Sequence, residues 1–295
     1  MEVIGFLQSF SSDFLNSLML FITSFGSLYF SVFVVCIIYW CYNKEVGYKM
    51  ALIVSCSSVL NNIFKGLVQS DRPIGSEGIF SLGEFSATGY SFPSGHAQNI
   101  TTTGVTLCIF TRNKLIFVVT LVLIILVSIS RVYLGLHWPI DVLGGIVLSL
   151  IVSIVLNEVL AKLTYFKIKV LVLALILFFC FGLIFIKMDA MGQDYFKSMG
   201  LLVGVYLGHL FEDRYVYFIS SASNFDNVMK IIIGVLTTLL IDFLFTYFFK
   251  SFYLLQIVKH VVIGFWIIGG VPLIFKLSNL YYKEAYEITN VKYRK

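Results

Sequence analysis

Apolar residues dominate this chain, and polar residues cut it into long segments. Nine apolar spans can be drawn, at roughly 14–42, 46–67, 97–111, 115–133, 139–161, 168–186, 197–211, 228–249 and 253–275. A membrane helix needs about 20 mostly apolar residues, whereas a barrel strand needs about 10 and alternates. None of the spans alternates, so the pattern predicts helices. Ahead of them, Val3, Ile4, Phe6, Leu7 and Phe10 are interleaved with polar residues, which predicts a short helix lying at the interface. The predicted fold is therefore all-α, a polytopic transmembrane helical bundle of about nine spans. The stretch TYFKIK at 164–169 divides it into a five-span part, residues 1–165, and a four-span region with a tail, residues 166–295.

Composition removes the soluble alternative. Hydrophobic residues make up 59% of the chain and charged ones 13%, with a mean hydropathy of +0.92; ordinary globular chains are about 25% charged. The net charge of +5 matters less than where the charges fall. With the N-terminus outside, most of the 21 Lys and Arg lie on connections facing the cytoplasm or in the cytoplasmic tail, as positive-inside orientation requires. Residues 68–96, 134–138, 187–196 and 250–252 then lie outside. The segment MEVIGFLQSFSSDF holds no Lys or Arg and does not read as a cleaved signal. The five cysteines, Cys36, Cys41, Cys56, Cys108 and Cys180, all sit in apolar runs and imply neither a disulfide framework nor a metal site. No cofactor and no nucleic-acid partner is expected; membrane lipids are.

Three polar blocks remain on the outer side: KGLVQSDRP (65–73), PSGH (93–96) and SRVYLGLHWPID (130–141). Each alone has a bland reading. Lys65 and Arg72 could snorkel at a membrane surface, and Pro-Ser-Gly could merely start a helix. Together they suggest chemistry. Ser94 and Gly95 fall at a helix N-terminus, where free N–H groups favour an anion. His137 and Asp141 are four apart, with Pro139 fitting the first helical turn. Asp141 can then accept from one ring nitrogen of His137 and leave the other free as a nucleophile. Lys65, Arg72 and Arg131, with Ser94 and Gly95, can hold a phosphoryl group without a metal. His96 can protonate the leaving oxygen and later activate water.

In the order K-x6-R-P, P-S-G-H and S-R-x5-H-x3-D, these blocks make the chain similar to the type-2 phosphatidate phosphatase superfamily, over roughly residues 46–160. That superfamily includes lipid phosphate phosphatases, glucose-6-phosphatase and vanadium haloperoxidases. The resemblance implies a phosphatase acting on a lipid phosphate or diphosphate at the outer face of the cell membrane. Nine spans with an external N-terminus are more similar to glucose-6-phosphatase and the sphingoid-phosphate phosphatases than to the six-span members. A polar sugar phosphate as substrate, and a non-catalytic lipid-binding or transport role, stay open. The latter is prompted by Asp242, Lys259 and His260 inside the last two spans; Asp242 is expected to pair with Lys259 or His260. His209 is expected to be structural, Asn61 and Asn62 to bond between helices, and the connection 187–197 to be solvated or to border the site.

Overall fold

The computed structural model describes residues 1–163, 165–182, 188–249 and 253–281; Lys187, the expected outer connection 250–252 and the basic tail from residue 282 lie outside them. The described residues form helices and connecting turns, with no strand among them. Five helices are long and apolar enough to cross a membrane: Lys44–Val68, Lys114–Tyr133, Pro139–Lys162, Asn224–Phe248 and Ile257–Leu277. Hydrocarbon offers no partner to a free peptide group, so such segments must close their own hydrogen bonds as helices. Their outer faces carry exposed Leu115, Phe117, Val118, Leu143, Val147, Ile151, Leu239 and Phe243, a surface that suits lipid and not water. The protein is an all-helical, integral, multi-pass membrane protein.

The helices are numbered here in chain order: α1 Glu2–Gln8, α2 Asp13–Ser24, α3 Leu28–Ile37, α4 Lys44–Val68, α5 Gly95–Thr111, α6 Lys114–Tyr133, α7 Pro139–Lys162, α8 Tyr165–Gly182, α9 Met188–Phe211, α10 Asn224–Phe249, α11 Tyr253–Phe265 and α12 Val271–Leu277. The expected span 14–42 is not one straight helix. It is α2 followed by α3 and a π turn at Ile38–Tyr42, bent by 51°. Gly26 lies at the bend. A methyl group there would sit 2.8 Å from both His96 Cβ and Val127 Cγ1, so the break lets α5 and α6 pack against bare backbone. The short helix expected ahead of the spans appears as α1. Helix α5, at 17 residues, and the apolar stretch Ile168–Leu177 are shorter than the five long helices. Helix α9 begins inside the expected outer connection and is interrupted at Gly192 (φ 63°).

The chain forms two compact units. The first comprises residues 1–32, 53–168 and 177–195, and all three polar blocks belong to it. Here α5 packs against both α6 and α7, while α1 and α2 pack against α6. Helix α5 can occupy the middle because most of its buried positions are small or hydroxylated: Ala97, Thr101, Thr102, Thr103, Gly104 and Thr106, beside Gln98 and Ile100. A polar seam joins it to α4. Asn61 Nδ2 donates to Gln98 Oε1 (2.7 Å) and to Pro93 O (3.3 Å), and Gln98 Nε2 donates to Ser57 O (2.7 Å). Asn61 thus bonds between helices, whereas Asn62 Nδ2 donates to Ser58 O of its own helix. On the other side, α7 closes onto the start of α5. A methyl group on Gly145 would lie 2.5 Å from Ser94 O.

In the second unit, residues 33–52, 169–176 and those from 196 onward, charged groups inside apolar helices are matched. Lys259 Nζ pairs with Asp242 Oδ1 at 2.8 Å, one of the two expected pairings. Lys44 pairs with Glu212 at 2.9 Å, and the His209 ring stacks on Tyr48 with centroids 3.6 Å apart.

The contact at Gly145 has a direct consequence. Gly145→Val should push α7 off the start of α5 and cost about 1–3 kcal/mol, the usual size of overpacking. A lowered thermal midpoint in detergent is expected; an unchanged midpoint would contradict this packing.

Candidate active site

Helix α4 ends at Val68, and Gln69 turns the chain in the left-handed region (φ 52°). The long loop that follows brings Arg72 under the carbonyls of residues 88–90. Arg72 Nε donates to Gly89 O (2.9 Å), and Nη2 donates to Thr88 O (2.8 Å) and Tyr90 O (3.2 Å). Its Nη1 donates to Leu136 O (2.8 Å), in the turn between α6 and α7. Lys65 reaches the same strip of backbone and donates to Tyr90 O and Thr88 O. Arg131 is fully buried at the end of α6, where Nη1 donates to Thr23 Oγ1 (3.1 Å) and Ser86 Oγ (3.0 Å). Its Nε and Nη2 meet no partner among the described residues. The three cations are close enough to repel one another, yet none forms a salt bridge with a carboxylate among the described residues. Donors arrayed without a directly paired carboxylate suit an anion, with Asp141 and Asp194 acting on Lys65 and Arg72 only from a distance.

His137 stands beside this cluster, its Nε2 at 3.1 Å from Arg72 Nη1. The spacing predicted a direct bond from the other nitrogen to Asp141. The structure brings the two residues together. Nδ1 lies 3.5 Å from Asp141 Oδ2, too far for a good hydrogen bond. The Ser91 hydroxyl sits between them, 3.3 Å from Nδ1 and 2.5 Å from Oδ2. Asp141 Oδ2 also accepts the Trp138 N–H at 2.7 Å, which caps α7.

Ser94 caps α5, and its N–H donates to Asp141 O at 2.9 Å, tying the second block to the third. Its hydroxyl is buried without a partner among the described residues. Gly95 opens the helix. A methyl group there would meet only Asn61 Oδ1, at an ordinary 3.5 Å, so protein packing alone does not call for a glycine. His96 follows, partly buried and within electrostatic range of Arg131, Lys65 and Arg72. Its position is set by the bare backbone of Gly26 and by Asn99 Nδ2, which donates to Gly26 O at 3.3 Å.

Electrostatics fix the resting protonation state. Burial, then the nearby Arg131, Arg72, Lys65 and His96, hold the His137 pKa well below its ordinary 6.5. Burial also lowers Arg72, to about 10, with Asp141 and Asp194 acting in the opposite direction. Arg72 therefore stays charged at neutral pH while His137 is neutral.

All eight residues singled out in the sequence, Lys65, Arg72, Ser94, Gly95, His96, Arg131, His137 and Asp141, fall in one unit around this site. Sequence reasoning missed Ser91, Thr23 and Ser86, which carry no spacing signal. The connection 187–197 was expected to be solvated or to border the site, and Asp194 fits the second alternative. Thr88 Oγ1 donates to Asp194, so the residue from the start of α9 borders the loop that holds Lys65 and Arg72.

Comparison with known proteins agrees with the block pattern. The chain is 33% identical over 132 residues to an undecaprenyl-diphosphatase of Sulfolobus acidocaldarius, covering 44% of this chain and 64%, less than two thirds, of that protein's length. It is 29% identical over 168 residues to phosphatidylglycerophosphatase B of Bacillus subtilis, covering 52% of this chain and 80% of that one. A crystal structure of a transmembrane PAP2-type phosphatidylglycerolphosphate phosphatase from Bacillus subtilis aligns with a TM-score of 0.47 at 27% identity, covering 56% of this chain and 86% of that one. The PAP2 superfamily model matches residues 46–165, and a model of the transmembrane extension of PAP2 superfamily phosphatases matches residues 196–284. Between them the two matches take in well over half of the chain, and the chain belongs to the PAP2 superfamily.

Proposed function

We propose that this protein is a membrane phosphatase that hydrolyses a lipid phosphate or diphosphate through a phosphohistidine, with residues 1–165 as its catalytic core. The observation that carries this reading is the setting of His137. It is neutral, held from both sides, and placed where Lys65, Arg72 and Arg131 lack carboxylate partners. The names of the two relatives, an undecaprenyl-diphosphatase and a phosphatidylglycerophosphatase, support a lipid substrate.

In this mechanism the phosphoryl group lies among the three cations, the Ser94 hydroxyl and the N-terminus of α5. Arg131 Nε and Nη2 and Ser94 Oγ, buried and without a partner among the described residues, are the donors best suited to its oxygens. The missing side chain of Gly95 leaves room for a close approach. His137 Nε2 attacks phosphorus in line, the P–O bond to the leaving group breaks, and His96 gives that oxygen a proton. His96 then takes a proton from water, water attacks phosphorus, and the N–P bond breaks to release inorganic phosphate. Charge on the equatorial oxygens is balanced by fixed cations, the main demand of phosphoryl transfer. That balance is why the chemistry is proposed to need no metal.

The placement of Lys and Arg supports a nine-span layout with the N-terminus outside, the C-terminus in the cytoplasm and the site at the outer face of the cell membrane. A transport role has less to rest on. Asp242 and Lys259, which prompted it, form a close ion pair.

Purified protein should release phosphate from polyprenyl diphosphate or phosphatidylglycerophosphate, in the presence of a chelator, faster than from glucose 6-phosphate. His137→Ala should lower kcat by at least about 10³-fold, as loss of a nucleophile does. His96→Ala should lower it by about 10²–10⁴-fold, as loss of a general acid does. Undiminished release by His137→Ala would end this reading.

The pH profile gives a second check. A lowered His137 pKa keeps the nucleophile deprotonated on the acid side of its ordinary range. Because kcat/KM reports the free enzyme, its acid limb should fall below pH 6.5. An acid limb well above 6.5 would contradict a neutral, buried His137.

A further inference from the structure

The family pattern pairs His137 with Asp141, four residues apart, and leaves out Ser91. In the structure Ser91 is fully buried, and its backbone N–H is fixed on Ser70 O at 2.8 Å. Its hydroxyl has one proton and two candidate acceptors. An ionised carboxylate can only accept. The Ser91 proton therefore points to Asp141 Oδ2 at 2.5 Å, and the Ser91 oxygen is left to accept from His137 Nδ1 at 3.3 Å. This order places the ring proton on Nδ1.

The other end of the ring agrees independently. Arg72 Nη1, 3.1 Å from Nε2, can only donate, so Nε2 must present a lone pair. A donor at Nε2 and an acceptor at Nδ1 select the same tautomer. The direct separation between Nδ1 and Asp141, 3.5 Å, is too long to make that selection alone.

We propose that Ser91 is a positioning residue that relays the Asp141 charge to His137 and fixes the tautomer in which Nε2 is the nucleophile. The inference rests on the reading of His137 as that nucleophile. As Nε2 bonds to phosphorus the ring becomes positive, and the Nδ1–H bond to Ser91 strengthens. The proton stays on Nδ1, and no covalent bond to Ser91 forms or breaks. Asp141 thus acts through Ser91, and the two residues work as one unit.

The test uses full-length protein in detergent, with a lipid phosphate that the wild type cleaves. Ser91→Thr and Ser91→Val have nearly the same shape and differ in the hydroxyl, so a packing defect affects both. Ser91→Val should lose about 10–100-fold in kcat relative to Ser91→Thr, the usual size when an outer partner orienting a histidine is removed. KM should stay within about threefold, because ground-state binding is untouched. Adding Ser91→Val to Asp141→Asn should cause little further loss, since residues acting as a unit are not additive. Equal kcat in the Thr and Val variants, a loss confined to KM, or losses that multiply with Asp141→Asn would each overturn the proposal. Wild-type protein that releases no phosphate from any lipid would instead remove the phosphatase reading beneath it.

Discussion

Mutual repulsion among Lys65, Arg72 and Arg131 is the constraint around which the first unit is built. Three cations held together away from bulk water are costly unless something negative faces them. Asp141 and Asp194 act on Lys65 and Arg72 from a distance, but the direct partners are dipoles. Carbonyls of residues 88–90 and Leu136 hold Arg72, and those of Thr88 and Tyr90 hold Lys65. The hydroxyls of Thr23 and Ser86 hold Arg131. Such partners fix geometry and leave net charge uncancelled. In the proposed mechanism the phosphoryl group supplies a negative charge that faces all three cations.

Much of the helix packing serves to keep that array assembled. Gly26, just past the end of α2, meets His96 in the first turn of α5 and Val127 of α6, and Thr23 of α2 reaches Arg131. Gly145 lets α7 approach Ser94 O, and the Ser94 N–H reaches back to Asp141 O. The second and third blocks are thereby joined through backbone, and His137 is held relative to the start of α5. The seam from Ser57 and Asn61 through Gln98 adds α4, which carries Lys65. Each link is a short polar contact inside an apolar bundle, where a lost partner is expensive.

Helix α4 was legible in the sequence to within two residues, and so were α6, α7 and the charged pair Asp242–Lys259, because hydrophobic runs and lone charges in membrane segments leave strong signals. The site residues were legible because three spaced blocks fell on one predicted face. The break in the first span was not. Gly26 lies in TSFGS (23–27), a short run rich in small and hydroxylated residues inside a long apolar stretch, and the close contact with His96 and Val127 is seen only in the fold. Ser91 was hidden for a similar reason. Helical spacing places His137 and Asp141 on one face, but the gap between their side chains is known only from coordinates, and a loop serine has no period to betray it. The start of α9 was read as a connection because of its charges, one of which, Asp194, turns out to border the cation loop.

If His137 becomes covalently phosphorylated, the phosphoenzyme can be trapped. A single turnover with lipid carrying radiolabelled phosphate, quenched in base within milliseconds, preserves an N–P bond. The account predicts label on the protein that appears before free phosphate, is lost in acid, and maps by mass spectrometry to the peptide containing His137. Label on another residue, or full release of phosphate with no protein-bound label at any time, would contradict it.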